Sequence, residues 1–484
     1  MEYSSNNGEI WIALIVLVAL RFMTLHRRSH RSCGKKVINP TREFIRPSNP
    51  TILVNEALSF SDQISSNVYI RIGLRFESLL DVGLLKRGLR KALNEYPVVA
   101  GRLDTSENVY RIRGTDGLSF QVVKHTETAP NAHNNSVAWA QANLVHEEYV
   151  GHDTQPDPTM PLCAIQVNFY EEENVTILGL QFNHALGDIT SYYQFVQAWS
   201  TFYESFTTNQ EASMTSPQRQ GQRILPYTKI LPLHSWKIWC LDKMIYVIER
   251  FGALMYLWCK RNTVEVEFTI DREQLKQFKR GIEQELTTVD WVSSYEVIMG
   301  CAAAAHCHAN GQASLNFPVA INLRERASPY KDNYFGNCLT TNADSKLNFR
   351  ADGETPRQRM VAVTEQLHQS LRAHLALEDK MIETTATTNL REAGLVSISY
   401  LMGYAVFRWW IYLNNWTDCP WFSITMGGTP VSVFGSFGSG GRMIGLRPCT
   451  PKSYRLVIPV RASQASKLKA FVESNELPFV ELVS

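Results

Sequence analysis

Residues 175–183, VTILGLQFN, constrain the fold more than any other stretch. Neither alternate set of side chains is polar enough to face water, so the segment reads as a strand buried on both faces. Such a strand needs neighbours on both edges and cover above and below, which demands a layered structure. A short turn follows, NHALGD, and then a 3.6-residue period of apolar positions: Ile189, Tyr192, Phe195, Val196, Trp199, Phe202, Tyr203 and Phe206. The sequence therefore passes from a central strand through a tight turn into an aromatic helix. Elsewhere the same mixture recurs. Residues 84–96 carry a helical stripe that Pro97 stops, residues 263–270 alternate as a strand and run into a polar helix from Asp271, and further strands are expected at 317–323, 430–434 and 454–460. The pattern is that of α/β lobes whose mixed sheets are covered by helices.

At 484 residues the chain is long enough for two such lobes. The polar stretch 207–226, with Pro217, Gly221 and Pro226, divides it near the middle. We expect four parts: residues 1–36, a first lobe at 37–206, a linker at 207–232 and a second lobe at 233–484. With 44% hydrophobic and 19% charged residues the chain is globular, not disordered, and a net charge of +2 leaves no electrostatic footprint for nucleic acid. The nine cysteines are odd in number and form no C-x-x-C, which fits reduced thiols better than a disulfide framework. The tract His306-Cys307-His308 continues an apolar run and reads as burial near a helix end, so no metal is assigned.

Residues 10–20, IWIALIVLVAL, are uninterruptedly apolar. The run is shorter than the roughly 20 residues that span a bilayer comfortably, although snorkelling of Arg21 lets Phe22, Met23 and Leu25 extend it. Glu2 and Glu9 precede it, and Arg27, Arg28, Arg31, Lys35 and Lys36 follow. That order is the reverse of a cleaved signal peptide, and the positive-inside rule places the bulk of the chain in the cytoplasm. We read an N-terminal membrane helix, with a partly buried helix or a targeting peptide as the alternative. Two aromatic stretches, 233–259 and 396–416, read as core or interlobe helices; beside an anchor they also suit a surface that dips into the membrane.

Chemistry concentrates at His184 and Asp188. His184 stands where the buried strand ends and Asp188 where the helix begins, the edge at which a sheet presents functional groups. A lone H-x-x-x-D is cheap, and an N-cap aspartate or a satisfied core histidine would explain it equally well. The surroundings add weight. From Arg46 to Val460 the sequence resembles the BAHD acyltransferases, which are coenzyme A-dependent. RPSNPT with LSFSDQ (46–63) resembles that family's opening strand, and LKRGLRKALNEYPVVAGRL (85–103) its first helix and turn. PLCAIQVNFY (161–170), SSYEVIMGCAAAA (293–305), INLRER (321–326) and YFGNC (334–338) follow in the family's order. One signature departs. After Trp416 and Pro420 the family's D-F-G-W-G is replaced by SITMGGTPVSVFG, and Ile189 stands where a glycine usually follows the aspartate.

The resemblance implies a two-lobed chloramphenicol-acetyltransferase-like fold with acyl-CoA as co-substrate, no bound cofactor and no metal. His184 would be the general base, since an imidazole ordinarily titrates near neutrality. The acceptor hydroxyl would attack the thioester directly, without an acyl-enzyme. Asp188 would point away from substrate and pair with Arg324 to hold the loop. Ser293 and Ser294 would contact coenzyme A at a helix N-terminus, or simply cap it, and the N–H groups of Gly427 and Gly428 would face the oxyanion. The expected molecule is a monomer on the endoplasmic reticulum membrane that esterifies a lipophilic or specialised-metabolite alcohol. Acylation of an amine is a near variant. The altered D-F-G-W-G region supports a different class, a non-catalytic accessory or binding protein of a lipid-elongation complex. A carrier-protein-dependent condensing enzyme is a third, although Asn183 stands where such enzymes double the histidine.

Overall fold

A computed structural model describes residues 41–52, 54–58, 62, 66, 68–104, 111–131, 134, 139, 144, 159–210, 212, 217, 262–326, 333–342, 346–349, 355–376, 411–436 and 443–482. The apolar run at 10–20, most of the 207–232 linker, residues 233–259 and residues 396–410 lie outside the described residues. Among the described residues no helix is long and apolar enough to cross a membrane.

Two large mixed sheets organise the chain. The first runs in the order Thr41–Ile45, Leu118–Lys124, Cys163–Tyr170, Val175–Asn183, Tyr69–Phe76, Ser432–Ser436. Leu118–Lys124 and Cys163–Tyr170 are parallel and the other pairs antiparallel. The second runs Leu339–Asn342, Val319–Asn322, Tyr412–Asn415, Met443–Thr450, Ser453–Arg461, Thr263–Asp271, Val480–Glu481. Its two pairings through Tyr412–Asn415 are parallel.

Val175–Asn183 is central and buried at all nine positions. Its two faces nevertheless differ in chemistry, a correction to the reading that neither is polar. Leu178, Leu180 and Phe182 join the apolar core beneath the helices. The opposite face carries Gln181, beside Gln166, Gln121 and Asn168 of the neighbouring strands, all buried. Three of these amides are joined in a hydrogen-bonded chain, as burial favours. Gln121 Nε2 donates to Gln166 Oε1, Gln166 Nε2 to Asn168 Oδ1 (2.6 Å), and Asn168 Nδ2 to the Ile177 carbonyl (3.0 Å).

Helix Val82–Glu95 starts at Asp81, whose carboxylate accepts from Leu84 N (2.8 Å), and ends before Pro97 as its sequence predicts. It packs on helix Ile189–Thr208. Gly88 allows the approach, because a Cβ there would lie 3.0 Å from Tyr203 N, and Trp199 Nε1 donates to the Leu85 carbonyl (2.8 Å). In the second half, helices Ser294–Asn310, Pro356–Leu375 and Ala465–Ser474 contribute to a separate core.

Three expectations shift. The opening strand is Thr41–Ile45, not 46–63, and among the described residues of 46–63 only Asn55–Ala57 pairs, with Arg111–Arg113. The described end of 396–416 is not helical, since Tyr412–Asn415 lies inside the second sheet. Nor do the lobes follow the chain's midpoint. Ser432–Ser436 completes the first sheet, and Trp416, Trp421, Ile424, Met426 and Val433 belong to the first core.

Candidate active site

The turn between Val175–Asn183 and Ile189–Thr208 is tied down residue by residue. Asn183 N donates to the Leu162 carbonyl (2.7 Å), its Nδ2 to the Ser66 carbonyl (2.7 Å), and its Oδ1 accepts from Ala185 N (2.9 Å). His184 N donates to the Val68 carbonyl (2.7 Å), while its own carbonyl accepts from Asn337 Nδ2 (2.7 Å). Asn337 Nδ2 also reaches Asp62 Oδ1 (2.7 Å). The backbone of His184 is thus held from both halves of the chain. At Gly187 a Cβ would fall 2.6 Å from Ser191 Cβ and 3.2 Å from the Gly336 carbonyl carbon, so only glycine fits there.

Asp188 caps the helix, accepting from Ser191 N (3.0 Å), and is fully buried. Its partner is Arg324, with Nη1 to Oδ2 at 2.8 Å and Nη2 to Oδ1 at 3.0 Å, a bidentate pair. Cys338 N adds a further donor to Oδ2 (2.9 Å). Arg324 also donates to the carbonyls of Tyr334 (3.0 Å) and Gly336 (2.9 Å), to Ser191 Oγ (2.9 Å) and to Asn322 Oδ1 (3.1 Å). Burial alone would raise the Asp188 pKa. The charge and hydrogen bonds of Arg324, with the two N–H groups, outweigh it and hold the carboxyl below its ordinary range. Burial likewise opposes the charge on Arg324, and Asp188 reverses that, raising its pKa. The pair is an internal rivet between the halves.

The ring of His184 is treated differently from its backbone. It is half-buried, its Nδ1 is buried without a hydrogen-bond partner, and among the described residues no carboxylate contacts it. The described thiols are poor alternatives as nucleophiles. Burial pushes Cys338 and Cys419 up to about 12, and Cys301 equally.

The remaining expected site residues fall elsewhere. Ser293 caps helix Ser294–Asn310 in a capping box: its Oγ accepts from Glu296 N (3.2 Å), and Glu296 accepts from Ser293 N. That hydroxyl is committed to the helix, and Ser294 is the first helical residue. Gly427 and Gly428 sit on an exposed turn, and the Gly427 N–H donates to Glu204 Oε1 (2.7 Å). Glu204 lies about 22 Å along the helix axis from Ile189, so the structure does not bring these N–H groups to His184 as donors to an oxyanion. The segment that replaces D-F-G-W-G instead runs along helix Ile189–Thr208. Cys419 Sγ approaches the Ile189 carbonyl (3.8 Å), Ser423 Oγ meets the Tyr193 hydroxyl (2.9 Å), and Thr425 exchanges hydrogen bonds with Ser200. His306 is a buried imidazole on the Pro459 carbonyl (2.8 Å), and among the described residues no cluster of His, Cys, Asp and Glu could hold a metal ion.

Fold and site together define a two-sheet α/β protein whose histidine-bearing turn is riveted to the second half by an Asp–Arg pair. Residues 35–458 match the Transferase family, and the chain belongs to that family, the BAHD acyltransferases. It is 24% identical over 285 residues to the malonyl-coenzyme:anthocyanin 5-O-glucoside-6'''-O-malonyltransferase of Salvia splendens, covering 53% of this chain and 56% of that protein. It is 27% identical over 169 residues to the acetyl-CoA-benzylalcohol acetyltransferase of Clarkia breweri, covering 33% and 37%. The chain therefore aligns with less than two thirds of either relative. Vinorine synthase shares the fold, with a TM-score of 0.62, 16% identity, and coverage of 92% of this chain and 99% of that one.

Proposed function

We propose that this chain transfers an acyl group from a coenzyme A thioester to a hydroxyl of a lipophilic or specialised-metabolite acceptor, with His184 as general base. The observation that carries the reading is the contrast at His184: a backbone fixed by Val68 and Asn337, and a ring whose Nδ1 has no hydrogen-bond partner among the described residues. Such a ring is positioned yet left for substrate. The acceptor O–H gives its proton to the imidazole as its oxygen bonds to the thioester carbon. The tetrahedral adduct collapses, the C–S bond breaks, and the imidazolium returns the proton to the departing thiolate. Ester and free coenzyme A result, with no enzyme nucleophile. The relatives named above support acyl-CoA as donor and, by their names, hydroxyl acceptors; acylation of an amine follows the same proton path.

Membrane attachment belongs to the same proposal and rests on the apolar run at 10–20 with its basic flank at 27–36. It places the remainder in the cytoplasm, on the endoplasmic reticulum. Asn174, an exposed N-x-T position in a turn between two strands, reports the orientation: it stays unmodified if the reading holds, and a glycan there reverses it.

Thiol release from acetyl-CoA and longer acyl-CoAs with a panel of alcohols tests the chemistry. Wild type should turn over, and His184→Ala should lose roughly 10²–10⁴-fold. Equal activity in both proteins removes His184 from the mechanism. No turnover in wild type with any donor favours the accessory-protein reading.

A further inference from the structure

The seam between the two sheets holds a charge arrangement unconnected with His184. Arg447 and Arg455 stand directly opposite each other on Met443–Thr450 and Ser453–Arg461, and both are 2% exposed. Ile444 and Leu446 point into the helix-covered core of the second half, so Arg447, alternating with them, points the other way, towards Ser432–Ser436 of the first sheet. The contact is direct, since Arg447 Nη1 donates to the Val433 carbonyl (3.1 Å).

Like charges opposed across a ladder destabilise it, and an uncompensated buried charge costs more. Arg455 is compensated: it meets Glu267 Oε2 (3.1 Å), the Asn134 carbonyl (3.2 Å) and Cys449 Sγ (3.4 Å). Arg447 has no such direct partner: Glu267 and Glu265 favour its charge, but among the described residues no carboxylate lies within 4 Å of it. A guanidinium offers five N–H donors, yet among the described residues the Val433 carbonyl is the one hydrogen-bond acceptor Arg447 has, and its Nε is buried without any. Burial and the neighbouring Arg455 push its pKa down to about 10, outweighing the opposite pull of Cys449, Glu267 and Glu265.

A second, independent observation lies one residue along the same strand. Ser432 is 2% exposed and stands directly opposite Arg75; among the described residues neither its Oγ nor the buried Nε of Arg75 has a hydrogen-bond partner. The nearest carboxylate to Arg75 is the largely exposed Glu77, at 3.8 Å. Unsatisfied donors thus lie on both sides of the strand at Ser432 and Val433, all suited to oxygen acceptors, and two of them are on guanidiniums.

We propose that this seam, at Arg447, Ser432 and Arg75, is a binding site for an anionic oxygen group, a carboxylate or a phosphate. A planar fork complements either group, and a buried ion pair with its remaining donors satisfied removes the cost described above. The site is distinct from the His184 turn, and its occupation does not depend on acyl transfer.

Thermal unfolding of the full chain tests it, with sodium acetate and inorganic phosphate titrated against chloride at matched ionic strength. Acetate or phosphate should raise the melting temperature saturably, beyond chloride; whichever does so identifies the carboxylate or the phosphate chemistry. Arg447→Met should weaken that binding roughly 10- to 100-fold, the worth of a charged hydrogen bond. It should melt in chloride no lower than wild type, because an apolar chain of similar volume replaces an unpaired charge. If Arg447→Met does not fold, Arg447→Lys carries the same test, since it keeps the charge and loses Nε and the fork. An acetate and phosphate response equal to that of chloride, or a saturable response that survives in the variant, overturns the site. Neither measurement requires turnover, so failure here leaves the acyltransferase proposal untouched, and the reverse holds too.

Discussion

Four hydrogen bonds converge on the Asp188 carboxylate, from Ser191 N, Cys338 N and both terminal nitrogens of Arg324, and water has no access to it. None of them comes from His184, so this aspartate orients the turn and does not relay protons. Replacing it with alanine strands the Arg324 charge in the interior, at a cost of about 3–5 kcal/mol. We expect Asp188→Ala to lose activity together with stability. Asp188→Asn, which keeps the cap and one acceptor, should retain part of both; urea unfolding beside initial rates checks this, and a fully active alanine variant refutes the positioning role. The pH dependence follows from the lowered pKa. The carboxylate's contribution is complete above its ordinary range and disappears only as pH falls through the still lower folded value. Loss of activity in mildly acidic solution therefore has another source. His184 and Asp188 were legible in the sequence because they sit at a strand end and a helix start, whereas the pairing with Arg324 came only from the family resemblance. Val68 and Ser66 were not legible, because they act through carbonyl groups that any residue supplies. Asn337 was visible within YFGNC only as part of the family resemblance, and nothing in that pattern shows its amide reaching across to His184.

Among the elements, helix Ser294–Asn310 shows how a functional expectation yields to a local one. Ser293 closes a capping box, so Ser293→Ala should cost about 1 kcal/mol of stability and leave the KM for acyl-CoA unchanged. A selective rise in KM at constant stability would instead restore the serine to a coenzyme A contact. The same helix carries His306, whose neutral ring donates through Nδ1 to the Pro459 carbonyl. Burial brings its pKa down from 6.5 to about 4. Below 6.5 the unfolded chain takes up a proton that the folded one refuses, so stability falls between pH 6.5 and 4 and levels off beyond. Between pH 7 and 5 the loss from this one group is about 2 kcal/mol. Urea titrations at the two pH values should show it in wild type and show it missing in His306→Leu. Periodicity found the helices seen at Val82–Glu95 and Ile189–Thr208, since each buries one stripe. The helix reading fails at the described end of 396–416, and the strand that the resemblance implied fails at 46–63. In the first, an apolar aromatic run fits a buried strand as well as a helix. In the second, the pairing among the described residues is confined to Asn55–Ala57, whose partner is only three residues long.

At the scale of the molecule, division at a polar linker predicts two self-sufficient lobes, and the topology contradicts that. The first sheet takes its sixth strand, Ser432–Ser436, from the second half, and the first core takes Trp421, Ile424, Met426 and Val433 with it. At about 1.5–3 kcal/mol for each buried side chain, those four contribute an amount comparable to the roughly 5–15 kcal/mol by which a whole domain is stable. Removing them also bares the edge of Tyr69–Phe76, a template for aggregation. Sequence periodicity is local and carries no record of such an exchange; only the pairing partner of the strand reveals it. We therefore expect residues 37–210, expressed alone, to lack near-UV circular dichroism and a cooperative melt. Co-expression with residues 211–484 should restore both. A cooperative transition in the isolated first half would show that the borrowed strand is dispensable. The proposed active site is divided along the same line, for His184 and Asp188 lie on one side of that cut and Arg324 and Asn337 on the other. The exchange makes folding of the first lobe and assembly of the site a single event, so activity in the co-expressed halves should return in step with the cooperative melt and never before it.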